Sequence, residues 1–259
     1  MKFISLIMKQ HINMLNQLIT LVMFSGLLVL YLFLLKIIYN ASNKLIAQNR
    51  SLLEQKEALE KAFGTLNSTY KDTIVTLSNA VDARDPYTAG HSERVAAISL
   101  GTGKKLGLSK ENLEKLELSA LFHDIGKLGV PDNILLKPGK LDALEYQKIM
   151  EHPSIGVNIL KDIEFLNDSL PTILHHHERY AGKGYPDGIS GKDIPLEARI
   201  ICVADTYDAM TSDRPYRKGL SHKEAISEII RFKGLQFDPE IADAFLTLEA
   251  ETLLKVYVQ

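Results

Sequence analysis

Hydrophobic and polar positions change their rhythm three times along this chain. From Leu18 to Leu35 no charged residue occurs, only Thr20, Ser25 and Gly26 interrupt the apolar run, and Ile37-Ile38-Tyr39 extend it past Lys36. A helix needs about 20 apolar residues to cross about 30 Å of hydrocarbon. Residues 1–39 are therefore expected to form an N-terminal segment with one transmembrane helix at about 18–38, with Lys36 snorkelling at its end. A buried core helix of that length would normally show a polar face, and a cleaved signal peptide has a shorter apolar run. Lys36, Lys44 and Arg50 on one flank outnumber Lys2 and Lys9 on the other, which favours a cytoplasmic C-terminal side.

Over residues 40–71 the chain turns polar, and Leu45, Leu52, Leu59 and Leu66 recur at heptad spacing. With these at d, Asn49, Lys56, Phe63 and Tyr70 fall at a, the pattern of a short parallel coiled coil and hence of a homodimer, with Asn49 available to fix register. Gly64 interrupts it, so a single helical linker is the other reading. Either is a stalk; about 30 helical residues span about 45 Å.

Residues 72–259 read almost entirely as short helices. Ile74, Leu77, Ala80 and Val81 share one face, a second helix runs from His91 to Leu106, and Leu113, Leu116, Ala120 and Leu121 mark a third. Ser109 is a candidate N-cap, Asp142 with Glu145 and Ser221 with Glu224 form capping boxes, and Asp238-Pro239 opens a last helix. Strand signals are nearly absent, which predicts an all-α domain.

Composition acts by exclusion. The 259 residues are 46% hydrophobic, enough for a packed core, and the net charge of −2 gives no basic field for duplex nucleic acid. The single cysteine, Cys202 between Ile201 and Val203, rules out an intramolecular disulfide and reads as core filling.

Chemistry enters at Leu121-Phe122-His123-Asp124-Ile125-Gly126-Lys127. Adjacent His and Asp lie about 100° apart on a helix, so both can lean toward one metal, and Lys127 follows on that side before the glycines end the helix. His91, His123, His152, His175, His176 and His177 crowd the middle of the sequence, while His11 and His222 read as surface residues. Imidazole with carboxylate and no thiolate suits Fe or Mn, and less exclusively Zn. Asp205, after the apolar run Ile200 to Ala204, is an acid too costly to bury unless paired or metal-bound.

These blocks, with His176-His177-Glu178, Gly184-Tyr185-Pro186, Ala83 to Ser92 and Asp205 to Arg217, resemble the HD-GYP family, a branch of the HD phosphohydrolases, over roughly Thr73 to Leu248. The resemblance implies an all-α HD-type domain that hydrolyses cyclic di-GMP, a bacterial second messenger, to pGpG or GMP, here tethered to the inner membrane with the catalytic domain cytoplasmic. Carried over, the metal shell is His91, His123, Asp124, His152, His176, His177 and Asp205, with Asp124 bridging two divalent ions, Fe or Mn. A third metal found in some members needs a glutamate where this chain has Tyr87, so two are expected. Lys127 would face the scissile phosphate beside Asp124, and Gly184, Tyr185, Pro186, Arg214 and Arg217 would grip the ligand. Two cations can activate water near neutral pH and bind the phosphoryl oxygens in line.

His175 falls outside the matching pair, off the metals or exposed. Ala181 replaces an aspartate usual in the family's loop, a loss expected to loosen the loop around Tyr185 and to be repaired by Ala181→Asp. A receptor or scaffold that binds the nucleotide without turnover, and a phosphohydrolase of a related cyclic dinucleotide, are the other functions these residues allow.

Overall fold

The computed structural model describes residues 2–84, 90–213 and 218–248. Tyr87, Arg214 and Arg217 lie outside the described residues. Among the described residues every regular element is helical, and a single isolated bridge joins Lys233 and Phe237.

In chain order the elements are α1 (Lys2–Asp82), α2 (His91–Lys105), α3 (Lys110–Phe122), a 3-10 helix (Ile125–Gly129), α4 (Asp132–Leu135), α5 (Ala143–Met150) and α6 (His152–Leu160). A second 3-10 helix (Glu164–Ser169), α7 (Leu170–His175), a third 3-10 helix (Gly191–Asp193), α8 (Leu196–Thr211), α9 (His222–Arg231) and α10 (Pro239–Leu246) follow. The chain divides into two compact units, residues 1–69 and 70–259. The first is helix throughout its described residues and carries an apolar stretch long enough to cross a membrane, with the large apolar side chains from Leu18 to Tyr39 exposed. Leu45, Leu52, Leu59 and Leu66 are exposed as well.

The second unit is organised around α8. Ile200, Ile201, Val203 and Ala204 are at most 1% exposed, and α2, α3, α7, α9 and α10 all pack on this helix. Cys202 is buried among them, and burial pushes its thiol up to about 12, so it is inert filler. The caps anticipated above are formed. Ser109 accepts from the Asn112 amide, both capping boxes close reciprocally, and Asp238 accepts from Glu240. Asp238 also takes a buried bond from Arg199, so one carboxylate both caps α10 and ties it to α8.

Two expectations need correction. The helix before the His-Asp pair does not run on to the glycines; it stops at Phe122, and Asp124 has φ −98° and ψ 3°, leading into the tighter 3-10 helix. The glycines have another task. A Cβ on Gly126 would sit 1.8 Å from the His152 carbonyl oxygen and 2.5 Å from the Gly156 amide nitrogen, so the 3-10 helix and α6 cross backbone to backbone. His222 is not a free surface residue: its Nδ1 lies 2.8 Å from the Tyr207 hydroxyl, at the start of α9 where that helix packs on α8.

The crossing at Gly126 gives the first prediction. Gly126→Ala has nowhere to put its methyl, and overpacking of this kind costs about 3 kcal/mol. Thermal unfolding of the variant should show a clearly lowered Tm, whereas an unchanged Tm would mean the two segments can part freely.

Candidate metal centre

All but one of the expected ligands lie at helix ends, where the chain can change direction and aim a side chain inward. His91 is the first residue of α2, His123 caps α3, Asp124 follows it, His152 opens α6, and His176 and His177 come directly after α7. Asp205 projects from within α8. The structure brings all seven together in two groups, Asp124 with His152, His176 and His177, and His91 with His123 and Asp205. Within each group the candidate ligand atoms lie within 4.8 Å of one another.

Asp124 faces both groups. Its Oδ1 is 3.3 Å from His152 Nε2, while Oδ2 is 3.5 Å from His123 Nε2 and 3.6 Å from His91 Nε2. Lys127 Nζ lies 2.5 Å from the same Oδ2. Burial alone would raise this carboxyl's pKa, but the Lys127 ammonium first, and then the surrounding imidazoles, hold it well below the usual carboxylate range.

The histidine tautomers follow from their partners. Nδ1 of His123, His152 and His176 each lies 2.7 Å from the carbonyl three residues earlier, of Ala120, Ile149 and Ile173. A carbonyl can only accept, so each Nδ1 carries the proton and each Nε2 presents a lone pair. The pKa values of His152 and His176 are lowered, chiefly by burial, which keeps both rings neutral at pH 7. Their Nε2 atoms are then 3.3 Å apart with lone pairs face to face, and the buried Nε2 of His123 has no hydrogen-bond partner. Neighbouring lone pairs and an orphaned buried acceptor are costly unless a cation is shared between them. The residues present therefore fit divalent metal ions. His177, pushed down to about 3 mainly by burial, is equally neutral.

His91 is oriented from behind. Its Nδ1 is 2.7 Å from Asp208 Oδ2, and Arg94 donates to Asp208 through Nε at 2.7 Å and Nη2 at 3.0 Å. On the other side His91 Nε2 is 3.3 Å from Asp205 Oδ1. Burial opposes its charge, yet the bonds to Asp205 and Asp208 prevail and raise the pKa to about 10, while Asp205 is correspondingly depressed. A cation between His91 and Asp205 would take the place of the Nε2 proton. Asp208 and Arg94 were not singled out in the sequence. What defines both is contact across the fold, with Asp208 fully buried one turn after Asp205.

The mouth of the site is formed by the turn after the paired histidines. Tyr185 stacks on His177, ring centroids 4.7 Å apart at 30°, and burial pushes its phenol up, so it stays protonated and able to donate. His175 is not among the ligands; it is bonded to the Pro171 carbonyl and to Asp187. The loop is held by Glu178, another residue missed, whose buried Oε1 accepts from the amides of Asp187 and Gly188 at 2.8 Å. A Cβ on Gly184 would lie 2.5 Å from the backbone of Glu178 and Arg179, so the turn folds flat against its own start. Ala181 is exposed, and its amide donates to the Leu235 carbonyl at 2.8 Å. The turn around Tyr185 is thus tied by Glu178 and by backbone bonds.

A helical domain with paired histidine and aspartate groups at its helix ends is the arrangement of a metal-dependent phosphohydrolase fold. The chain belongs to the HD domain family, whose model matches residues 75–241. It is 38% identical over 208 residues to the cyclic di-GMP phosphodiesterase response regulator RpfG of Xanthomonas campestris, covering 80% of this chain and 54% of that protein. It is 37% identical to a cyclic di-GMP phosphodiesterase of Thermotoga maritima, covering 78% and 56%, and 40% identical to the 3'3'-cGAMP-specific phosphodiesterase 3 of Vibrio cholerae, covering 68% and 38%. The chain thus spans about half the length of the first two relatives and less of the third. Among solved structures, a cyclic GMP-AMP specific phosphodiesterase of V. cholerae shares the fold with a TM-score of 0.54 at 19% identity, over 71% of this chain and 52% of that one.

Glu178 supplies the prediction here. Glu178→Ala removes the acceptor of two half-buried backbone bonds, to the Asp187 and Gly188 amides, and should cost about 1–3 kcal/mol locally. Amide exchange over residues 182–188 should rise and turnover should fall in Glu178→Ala, while Ala181→Asp leaves both nearly as they were. A large gain in turnover from Ala181→Asp would restore the view that the loop lacks order.

Proposed function

We propose that this chain is a membrane-anchored, metal-dependent phosphodiesterase that hydrolyses cyclic di-GMP to pGpG, GMP or both. The observation that carries the reading is the single buried carboxylate of Asp124, whose two oxygens face two separate histidine groups. His152, His176 and His177 would hold one divalent ion, and His91, His123 and Asp205 the other, with Asp124 shared; Fe or Mn suits this donor set. Such ions supply charge neutralisation at the phosphate and activation of water.

Hydrolysis joins a water oxygen to phosphorus and breaks the bond from phosphorus to a ribose 3′ oxygen, which leaves with a proton. The chain's own residues serve that exchange in distinct ways. Lys127, fixed beside Asp124, places a positive charge where negative charge builds up during the reaction. Tyr185, protonated and half-buried against His177, offers an aromatic face and a hydroxyl donor to the nucleotide. Arg214 and Arg217 would add bidentate phosphate contacts. The domains we assign are 1–39 with the membrane helix, 40–71 as a dimer-forming stalk and 72–259 as the catalytic domain, cytoplasmic where its substrate is made.

The relatives named above support a cyclic dinucleotide substrate, and their names divide between cyclic di-GMP and 3'3'-cGAMP. That division favours one second reading, hydrolysis of 3'3'-cGAMP.

The full chain, purified in detergent and loaded anaerobically with Fe or Mn, should convert cyclic di-GMP to pGpG or GMP. Asp124→Ala should abolish turnover, and Lys127→Ala should lower kcat about 100-fold or more. Product from 3'3'-cGAMP alone would select the second reading; metal loading with no product from either would leave a receptor. In cells, the chain should sediment with membranes and crosslink as a dimer, and Leu52→Lys with Leu59→Lys should abolish the crosslink. A dimer that survives those changes would remove the coiled coil.

A further inference from the structure

At three helix ends that carry the centre, backbone groups are met by side chains of one neighbouring segment. The first amides and last carbonyls of any helix have no partner inside it and need one from elsewhere. α2 begins at His91 behind Gly90, which has φ 68° and no side chain to cap with. Asp82, 3% exposed, takes that place, since its Oδ2 accepts from the Ser92 amide at 3.0 Å and its Oδ1 from the Ser92 hydroxyl at 2.9 Å. α3 ends at Phe122, so the Leu121 carbonyl has no continuing helical turn above it. Ser78, 1% exposed, donates to that carbonyl at 2.8 Å, two residues before His123. The 3-10 helix carrying Lys127 ends at Gly129, and Arg84 donates to the carbonyls of Lys127 at 2.7 Å and Val130 at 2.8 Å while its Nη2 also reaches Asp132 at 2.7 Å.

Resting on the metal reading above, we infer that residues 78–84, the end of α1 and the turn after it, position the metal centre by capping in trans the helix ends that bear His91, His123-Asp124 and Lys127. Ser78 and Asp82 stand one turn apart on one helix, so the two caps are fixed relative to each other. α2 and α3 pack directly on each other, and the two caps bind the start of the one and the end of the other to the same stretch of a third helix. None of these three side chains touches a candidate ligand atom in the bonds described; they act on the backbone that aims the ligands. Groups that orient ligands in this indirect way commonly alter metal affinity by 10-fold or more.

The test is Mn2+ binding by the full chain in detergent, measured by calorimetry, with Ser221→Ala as control. Ser221 caps α9, so its loss should lower the Tm while leaving the centre alone. Ser78→Ala and Asp82→Ala should each weaken Mn2+ binding by about 10-fold, Asp82→Asn less, because its amide oxygen still accepts one bond. Arg84→Lys should behave like Arg84→Ala, since an ammonium cannot fork across two carbonyls and a carboxylate. If Asp82→Ala does not fold, Ser78→Ala and Asp82→Asn decide the matter. Wild-type affinity in the folded cap variants would overturn the inference, as would an equal loss in Ser221→Ala or a wild-type chain that binds no Mn2+. A wild type that binds Mn2+ but cleaves neither dinucleotide would defeat the proposed reaction and leave the positioning question answered by the affinities.

Discussion

The structure of the second unit depends on keeping one carboxylate, Asp124, ionised in a buried place. It is 5% exposed, and an isolated buried carboxylate would take up a proton sooner than remain charged. What prevents this is the ring of partners, first the Lys127 ammonium at 2.5 Å and then the His91 imidazole at 3.6 Å, which its own acidic neighbours keep charged. That ring explains the geometry around it. Six of the seven candidate ligands come from the ends of different short helices, because no single helix can place so many side chains around one point. The glycine crossing at Gly126 exists to bring the His152 end of α6 against the turn after Asp124.

Concentrating ligands at helix termini has a cost in order, since termini fray and leave backbone groups unsatisfied. The side chains that meet this need come from distant parts of the chain. Asp82 and Ser78 serve α2 and α3, Asp208 with Arg94 fixes the ring of His91, and Glu178 closes the turn that carries Tyr185. Each is a polar group with a defined partner, buried in every case but the half-buried Arg94. Replacing one would release a buried backbone group or a ligand's orientation, and the effect would reach the centre without touching it.

The candidate ligands were named from the sequence through the family resemblance, which rests on local blocks such as His123-Asp124 and His176-His177. The capping boxes at Asp142 and Ser221 were legible for the same reason: partner and recipient are three residues apart. Asp208, Arg94, Glu178 and Asp82 were not, since what defines them is contact across the fold. His91 and Asp208 are far apart in sequence and 2.7 Å apart in space. The end of α3 was misplaced because apolar periodicity continues through Phe122-His123-Asp124-Ile125, and only the crossing with α6 forces the tighter 3-10 path. His222 was read as a surface residue because its partner, Tyr207, lies on another helix.

On the proposed reading, the candidate metal centre would not decide which cyclic dinucleotide is cleaved. Its candidate ligands and Lys127 meet a phosphodiester, and that group is the same in cyclic di-GMP and in 3'3'-cGAMP. Relatives carrying either substrate in their names match this chain at similar identity, 38% and 40%, so overall similarity cannot separate them either. Discrimination between guanine and adenine has to arise where base edges are met, by donors and acceptors that one base satisfies and the other leaves unpaired. Tyr185 is stacked on His177 and offers mainly a ring face, which either purine accepts. On that reading, selectivity would fall to polar side chains around that ring, and substitutions there should change the ratio of cyclic di-GMP to 3'3'-cGAMP turnover while leaving metal binding as it is.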